Sequence, residues 1–225
     1  YTMPLTVVIV LMCVGLANKS ALFPFHSWLP DAYSYGTASS SAILSSLVSK
    51  SYIFLLLKIF YRVIGIDVIE MHHVGNLLFV LGVLGMILGS IRAMRQVDIR
   101  RMIAYSSVAQ IGYIYMGIGI GAKIGMLAAI FHIISHAASK SMLFIAARGL
   151  SEVSDDSKLF EDLKGAGYRN VAAGVGFAVG ALSMVGIPLF AGFTSKVYFA
   201  MGALEGGSEK MWGAMVALAI NTVFH

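Results

Sequence analysis

The chain has 225 residues, of which 58% are hydrophobic and only 12% are charged, and its mean hydropathy is +0.83. This composition excludes an ordinary soluble domain and predicts an all-α integral membrane protein with room for about six or seven spans. The formal net charge of +5 does not indicate nucleic-acid binding, because much of the basic surplus lies within or beside apolar segments.

One cysteine, Cys13, excludes an internal disulfide and any cysteine-based metal or iron–sulfur site within the chain. The sequence begins with Tyr1, and its last apolar run stops at His225 while it is still short for a span. We therefore expect residues 1–225 to be a single transmembrane domain that is an internal piece of a longer protein.

Apolar segments separated by polar stretches predict the spans in chain order. They cover about 3–22, 39–62, 74–91, 99–120, 122–147, 170–203 and a truncated 211–225. The first segment ends in FPFHSWLPDAYSYGT, where Pro24 lacks an N–H and disfavours helix, so we predict a break over 23–37. His26 in this break is expected to be structural.

The sixth segment is interrupted by GIPLFAGFTSK, so Pro188 predicts a second broken helix with its break near 186–192. Counting crossings, the first and sixth spans run in opposite directions, and Lys19 and Lys196 lie near their breaks. This arrangement favours an inverted-repeat transporter, because unwound backbone at bilayer depth is tolerated where it lines a polar cavity. The alternative that the prolines only kink helices stays open.

Residues 148–169 form a sustained hydrophilic stretch that we expect to be a surface loop. Lys and Arg are concentrated there and around 92–101. The excess of basic residues predicts that both stretches face the cytoplasm.

His132, His136 and Lys140 recur every fourth residue in FHIISHAASKSMLF. Each step turns about 400° around a helix, so the three side chains drift by only about 80° and form one stripe. In a membrane span they would make a ladder with steps of roughly 6 Å, which a proton can cross through intervening water. A metal site or a pair of hydrogen-bonded core histidines are the alternatives, although no third metal ligand lies near in the sequence.

Every Asp and Glu lies in a loop or at a span end. Four lysines, in contrast, lie within apolar segments: Lys19, Lys50, Lys140 and Lys196. A lysine at bilayer depth without a carboxylate loses its hydration, so it can exchange a proton near neutral pH. Snorkelling to the interface is the alternative, and we expect it for Lys58.

Polar side chains around the stripe could hold water or form interhelical hydrogen bonds, and the sequence does not decide between these roles. They are Ser106, Ser107, Gln110, Tyr113, Ser135 and Ser139. The sequence shows no phosphate-binding loop, nucleophile elbow or redox motif, so we predict no cofactor and no metal. The driving force must come from an ion gradient or a partner subunit.

Four stretches in order resemble a known family: KSALFPFHSWLPDAYSYGTASSSAILSSLVSK, DIRRMIAYSSVAQIGY, FHIISHAASKSMLF and GIPLFAGFTSK. Together they resemble the antiporter-like membrane subunits shared by respiratory complex I, Mrp-type sodium/proton antiporters and energy-converting membrane hydrogenases. The resemblance covers nearly the whole chain, and it implies part of an inverted-repeat antiporter-like fold.

The resemblance also implies a role for each matched residue. Lys19 is similar to the lysine of the first broken helix, and Lys50 to the connecting lysine on the next helix. His132, His136 and Lys140 resemble the central relay, and Lys196 resembles the terminal lysine. The family's glutamate partner of the first lysine lies upstream of the residues present here. Some members have histidine where this chain has Ser45, and Lys50 would take that role.

The implied function is a proton-translocating subunit of a multisubunit membrane complex, with other membrane subunits as partners, including homologous antiporter-like ones. The expected location is the prokaryotic plasma membrane. Complex I (NADH:quinone oxidoreductase), a hydrogenase and a sodium/proton antiporter all stay open, as does transport of Na+. The stretch LFEDLKG resembles the Mrp and hydrogenase members more. A non-conducting structural subunit is an alternative, and a quinone-binding redox enzyme is the weakest one.

Overall fold

The computed structural model describes residues 2–224, and the side chains of residues 5–207 and 210–223. Every regular element within this part of the chain is helical, which confirms the all-α prediction. The helices are α1 (Thr2–Ser20), α2 (Trp28–Tyr35), α3 (Ala38–Ile64), α4 (Ile66–Met71), α5 (Val74–Met94), α6 (Ile99–Ile120), α7 (Lys123–Glu152), α8 (Ala166–Arg169), α9 (Val171–Val185), α10 (Ala191–Glu205) and α11 (Ser208–Phe224).

Four helices are long and apolar enough to cross a membrane, namely α3, α5, α6 and α7. Shorter apolar helices are formed by Leu5–Ser20 within α1 and by α9. Residues 21–27 separate α1 from α2, and residues 186–190 separate α9 from α10. Pro24 and Pro188 fall within these two interruptions, as expected for residues that cannot donate to a helical ladder. The range 23–37, where the sequence predicted a break, contains the eight-residue helix α2.

Helix α6 lies at the centre of the bundle. Of its most apolar 18-residue window, 89% is buried, against 44% for α3 and α5. Close contact with α5 depends on glycine, because a Cβ atom on Gly82 would lie 2.5 Å from the backbone nitrogen of Met116, and one on Gly112 would lie 2.5 Å from the carbonyl oxygen of Gly82. Small residues allow such backbone contact between membrane helices.

The start of α6 is fixed by Asp98. Its carboxylate accepts hydrogen bonds from the backbone N–H groups of Arg100 (2.7 Å) and Arg101 (3.0 Å), as an N-cap does. The backbone N–H of Ile99 donates to the carbonyl of Lys158 at 2.9 Å, so the hydrophilic stretch docks against this helix start.

The hydrophilic stretch is shorter than the sequence suggested. Helix α7 continues to Glu152, five residues beyond the expected end at 147, because exposed Arg148 pairs with Glu152 one turn on (3.0 Å) and with Asp156 (2.8 Å). The irregular part of the stretch therefore begins at Val153.

Candidate functional site

The stripe on α7 is buried in the bundle. The side chains of His132, His136 and Lys140 are 4%, 1% and 0% exposed. The imidazole rings of the two histidines are stacked, with centroids 6.0 Å apart and planes 3° from parallel. The three titratable groups thus share one interior helix face, at the spacing expected for a helix.

The amine of Lys140 is held by α6. It donates to the carbonyl oxygen of Ile103 at 2.7 Å and to the hydroxyl of Ser106 in a very short contact. The hydroxyl of Ser107 donates to the same Ile103 carbonyl at 3.0 Å. Two adjacent serines and one backbone oxygen therefore form the polar wall that faces this amine.

Lys50 on α3 is 3% exposed and reaches the same wall from the other side. Its amine donates to the carbonyl oxygen of Ser45. The hydroxyl of Ser45 lies 3.5 Å from that of Ser107. Polar groups of five residues therefore follow one another from α3 through α6 to α7: Lys50, Ser45, Ser107, Ile103 and Lys140. At Ser45 the lysine contacts the backbone carbonyl, and the contact with Ser107 is made by the hydroxyl.

A π-helical turn explains why the Ser45 carbonyl can accept the lysine. Residues Leu44–Val48 of α3 form this turn, in which the backbone N–H of Ser49 donates to the carbonyl of Leu44, five residues back. An α-helical Ser49 would have donated to Ser45 instead. Single π turns inside α-helices are frequent at functional sites for such reasons.

Neither buried lysine has an acidic partner. No Asp or Glu side chain is buried within the described part of the chain. The salt bridges found there join partly or fully exposed side chains and involve Asp31, Glu152 and Asp156. The amines of Lys50 and Lys140 are therefore held by neutral carbonyl and hydroxyl oxygens.

At the other end of the stripe, His132 meets the second helix break. Its Nδ1 atom lies 2.9 Å from the hydroxyl oxygen of Ser195 on α10, which itself donates to the carbonyl of Gly192 at 2.9 Å. The neighbouring Lys196 is half-buried and donates to the carbonyl of Val185 at 2.6 Å. Val185 is the last residue of α9, so the amine sits at the negative end of that helix dipole.

Two of the predicted residues lie outside this buried group. Lys19 is exposed in the last turn of α1, so the described structure does not bring it to the stripe. His26 is buried in the interruption after α1, where Arg92 donates to its Nε2 atom at 2.8 Å.

The six residues predicted to hold water or to form interhelical hydrogen bonds are all buried: Ser106, Ser107, Gln110, Tyr113, Ser135 and Ser139. The hydroxyl of Ser139 donates to that of Ser183 on α9 at 3.1 Å, which is an interhelical hydrogen bond. Within the described residues, no group of three or more His, Cys, Asp or Glu side chains could hold a metal ion.

Sequence reasoning missed three residues that contact the site. Ser195 contacts His132, Thr222 on α11 accepts from the Lys196 amine at 3.1 Å, and Asn221 accepts from the Tyr113 hydroxyl at 3.0 Å. Ser195 could have been noticed as a hydroxyl residue beside Lys196. The other two lie on the predicted truncated segment, and their positions depend on how α11 packs.

Comparison with known proteins places the chain among membrane subunits of respiratory and antiporter complexes. It is 37% identical over 218 residues to NADH-quinone oxidoreductase subunit N of Desulforudis audaxviator, covering 96% of this chain and 42% of that protein. It is 35% identical over 196 residues to the chloroplastic NAD(P)H-quinone oxidoreductase subunit 5 of Gossypium barbadense, covering 83% of this chain and 25% of that protein. The chain thus spans less than half of these relatives.

Two solved structures share its fold. A chain of the membrane-bound sulfane sulfur reductase, an archaeal respiratory membrane complex, matches with a TM-score of 0.89 and 28% identity, covering 100% of this chain and 46% of that chain. A chain of the Mrp complex from Dietzia sp. DQ12-45-1b matches with a TM-score of 0.82 and 29% identity, covering 97% and 40%.

The family described as "NADH:quinone oxidoreductase/Mrp antiporter, TM" matches residues 2–224. This match covers nearly all of the chain and agrees with the relatives and with the fold. The chain therefore belongs to the NADH:quinone oxidoreductase/Mrp antiporter transmembrane family.

Proposed function

We propose that this chain is the part of an antiporter-like subunit that carries protons through a multisubunit complex in a prokaryotic plasma membrane. The observation that supports this most is the series of polar groups between two buried lysines, neither of which has a carboxylate partner among the described side chains. Lys50 and Lys140 contact Ser45, Ser106 and Ile103. A purely structural lysine in a membrane helix more often pairs with an acid or extends to the interface.

In this proposal a proton is exchanged between the amines of Lys50 and Lys140 through the hydroxyls of Ser45 and Ser107 and intervening water. The two buried amines lie at the two ends of one series of polar groups, formed by Ser45, Ser107 and the Ile103 carbonyl. Like charges repel strongly where water is scarce, so the pair holds one proton more readily than two. Arrival of a proton at Lys50 then drives release from Lys140.

His136 and His132 would carry the released proton along α7. Their stacked rings span 6.0 Å, and histidine gains and loses a proton near neutral pH. At the far end the proton reaches Lys196 beside the second break, which we propose is the outlet. Lys19 would act as the protonation switch in the full-length subunit, with an acidic partner from the upstream part of the family fold.

The host complex is an NADH:quinone oxidoreductase, a respiratory reductase or hydrogenase, or an Mrp antiporter. The relatives include a subunit N of the first kind and chains from a sulfane sulfur reductase and an Mrp complex. In each case homologous antiporter-like subunits would be neighbours. We propose protons as the transported ion.

The test is proton flux by the full-length subunit in its complex, measured with a pH-sensitive dye in proteoliposomes. Lys140→Ala should lower the flux about 100-fold, the range associated with losing a proton-transfer group. Lys58→Ala is the matched control, because Lys58 is exposed on α3. Unchanged flux in Lys140→Ala, or an equal loss of assembly and flux, would favour a non-conducting structural subunit.

A further inference from the structure

Helix α11 places two adjacent polar residues against the last part of the buried route. Asn221 is fully buried, and its side-chain N–H groups donate to the Met86 carbonyl at 2.9 Å and to the Ser90 hydroxyl at 2.7 Å on α5. Since a backbone carbonyl can only accept, the amide orientation is fixed. Its Oδ1 atom must therefore accept from the Tyr113 hydroxyl, which lies 3.0 Å away.

The ring of Tyr113 lies near both groups that would exchange the final proton. Its centroid is 5.3 Å from that of the His132 ring and 5.9 Å from the amine of Lys196. The hydroxyl proton of Tyr113 is engaged by Asn221. Tyr113 therefore contributes an aromatic surface that Asn221 holds in place and on which an ammonium group is favoured.

Thr222 acts on the lysine directly. Its hydroxyl oxygen accepts from the Lys196 amine at 3.1 Å while donating to the Leu218 carbonyl at 2.8 Å within α11. The amine is thus fixed from two sides, by Thr222 and by the Val185 carbonyl at the end of α9. Helix α11 thus holds the Lys196 amine through Thr222 and the Tyr113 ring through the preceding residue, Asn221.

We propose that Asn221 and Thr222 set the geometry of proton transfer from His132 to Lys196, Asn221 as a positioning residue that acts through Tyr113. In this step the imidazolium of His132 loses one proton and the neutral amine of Lys196 gains one. Water or the Ser195 hydroxyl lies on the way, accepts one proton and releases another, and so ends in its original protonation state. The proposal rests on the proposed function above. It assigns to α11 a part in transport that the resemblance to the family did not supply.

The experiment uses the full-length subunit in its complex, with proton flux recorded in proteoliposomes from pH 5 to pH 9. Thr222→Val removes the acceptor of Lys196, so the flux should fall about fivefold and the midpoint of the pH profile should move by about half a unit, as expected for one lost hydrogen bond. Thr222→Ser keeps the hydroxyl and should restore both. Val216→Ala, at an exposed position of α11, is the control for the helix itself.

Asn221→Leu and Tyr113→Phe test the positioning role, and both should lower the flux about tenfold. Asn221→Leu should also increase the mobility of the ring, seen as a changed signal from fluorotyrosine placed at position 113. Because Thr222 is exposed, its variants remain informative if Asn221→Leu does not assemble. Lys140→Ala is measured in parallel. The inference is wrong if Thr222→Val and Tyr113→Phe leave the rate and the pH profile unchanged. If Lys140→Ala abolishes the flux in the same experiment, the proposed proton relay is nevertheless supported.

Discussion

The amine of Lys140 on α7 donates a hydrogen bond of 2.7 Å to the backbone carbonyl of Ile103 on α6. That oxygen also accepts from the hydroxyl of Ser107, so a single carbonyl joins the lysine to the serine that faces Ser45. In the proposed route, two lysines on different helices are linked through the backbone of a third helix. Disrupting the intermediate hydroxyls should therefore affect transport without touching either lysine.

Ser107→Ala tests this connection. Removing the hydroxyl breaks both the contact with the Ser45 hydroxyl and the hydrogen bond to the Ile103 carbonyl. The loss of about 1 kcal/mol should slow proton flux about fivefold. The flux is measured in proteoliposomes that contain the assembled complex. Ser51→Ala is the matched control, because Ser51 is exposed on α3 and its hydroxyl donates to the Leu47 carbonyl within that helix. Equal rates for the two variants would show that protons bypass Ser107.

The contact between α5 and α6 should be intolerant of a single methyl group. In Gly112→Ala the new Cβ would lie 2.5 Å from the Gly82 carbonyl and 2.6 Å from the Met86 backbone nitrogen. Relieving this overlap requires the two backbones to separate, at a cost of about 1–3 kcal/mol. The thermal unfolding midpoint of the purified complex or subunit should fall accordingly.

Gly15→Ala on α1 is the control for that measurement. A Cβ atom at Gly15 would meet no atom within 4 Å. The same substitution there should leave the unfolding midpoint unchanged or raise it slightly, because alanine favours helix over glycine. A similar loss at both positions would mean that helix packing is not the cause.

His26 predicts a dependence of stability on pH. Burial and the neighbouring Arg92 guanidinium lower the pKa of this imidazole from its usual value of 6.5, and a backbone contact with Pro24 opposes them. Arg92 can only donate, so the Nε2 atom must be unprotonated to accept its hydrogen bond. The unfolded chain therefore binds the proton more readily than the folded chain.

The sign follows from this difference. The stabilising contribution of His26 is fully present above pH 6.5 and is lost as the pH falls toward the lower pKa of the folded protein. The unfolding midpoint measured at pH 8 and at pH 5.5 should differ more for the unchanged protein than for His26→Asn, which has no proton to gain. The same pH dependence in both would assign it to another group.

The pattern of residues along the chain predicted part of the site and left another part open. The four-residue spacing of His132, His136 and Lys140 determines that they share a helix face, so their common burial could be predicted. Pro24 and Pro188 likewise predicted where the first and last long segments are interrupted. These features are local, because they depend on helix geometry and on a missing backbone donor.

The remaining contacts depend on the packing of distant segments. Ser45 accepts from Lys50 because of a π-helical turn that no local pattern in SAILSSLVSK marks. Asn221 meets Tyr113 across 108 positions of sequence, and His132 meets Ser195 across 63. Spacing alone does not predict such pairs. The relay role of Lys19, which is exposed here, stays a prediction.

The central position of α6 has a consequence for biogenesis. The most apolar 18-residue window of α6 has the lowest mean hydropathy of the four long helices, 1.2 against 2.2 for α5. The helix contains serines, a glutamine and tyrosines, most of which are buried against other helices. A nascent helix of this polarity partitions poorly into bilayer by itself, because its side chains find hydrogen-bond partners only in neighbouring helices. We therefore expect α6 to enter the bilayer together with the more apolar α5, as a helical hairpin in which the glycine contact covers the polar face of α6.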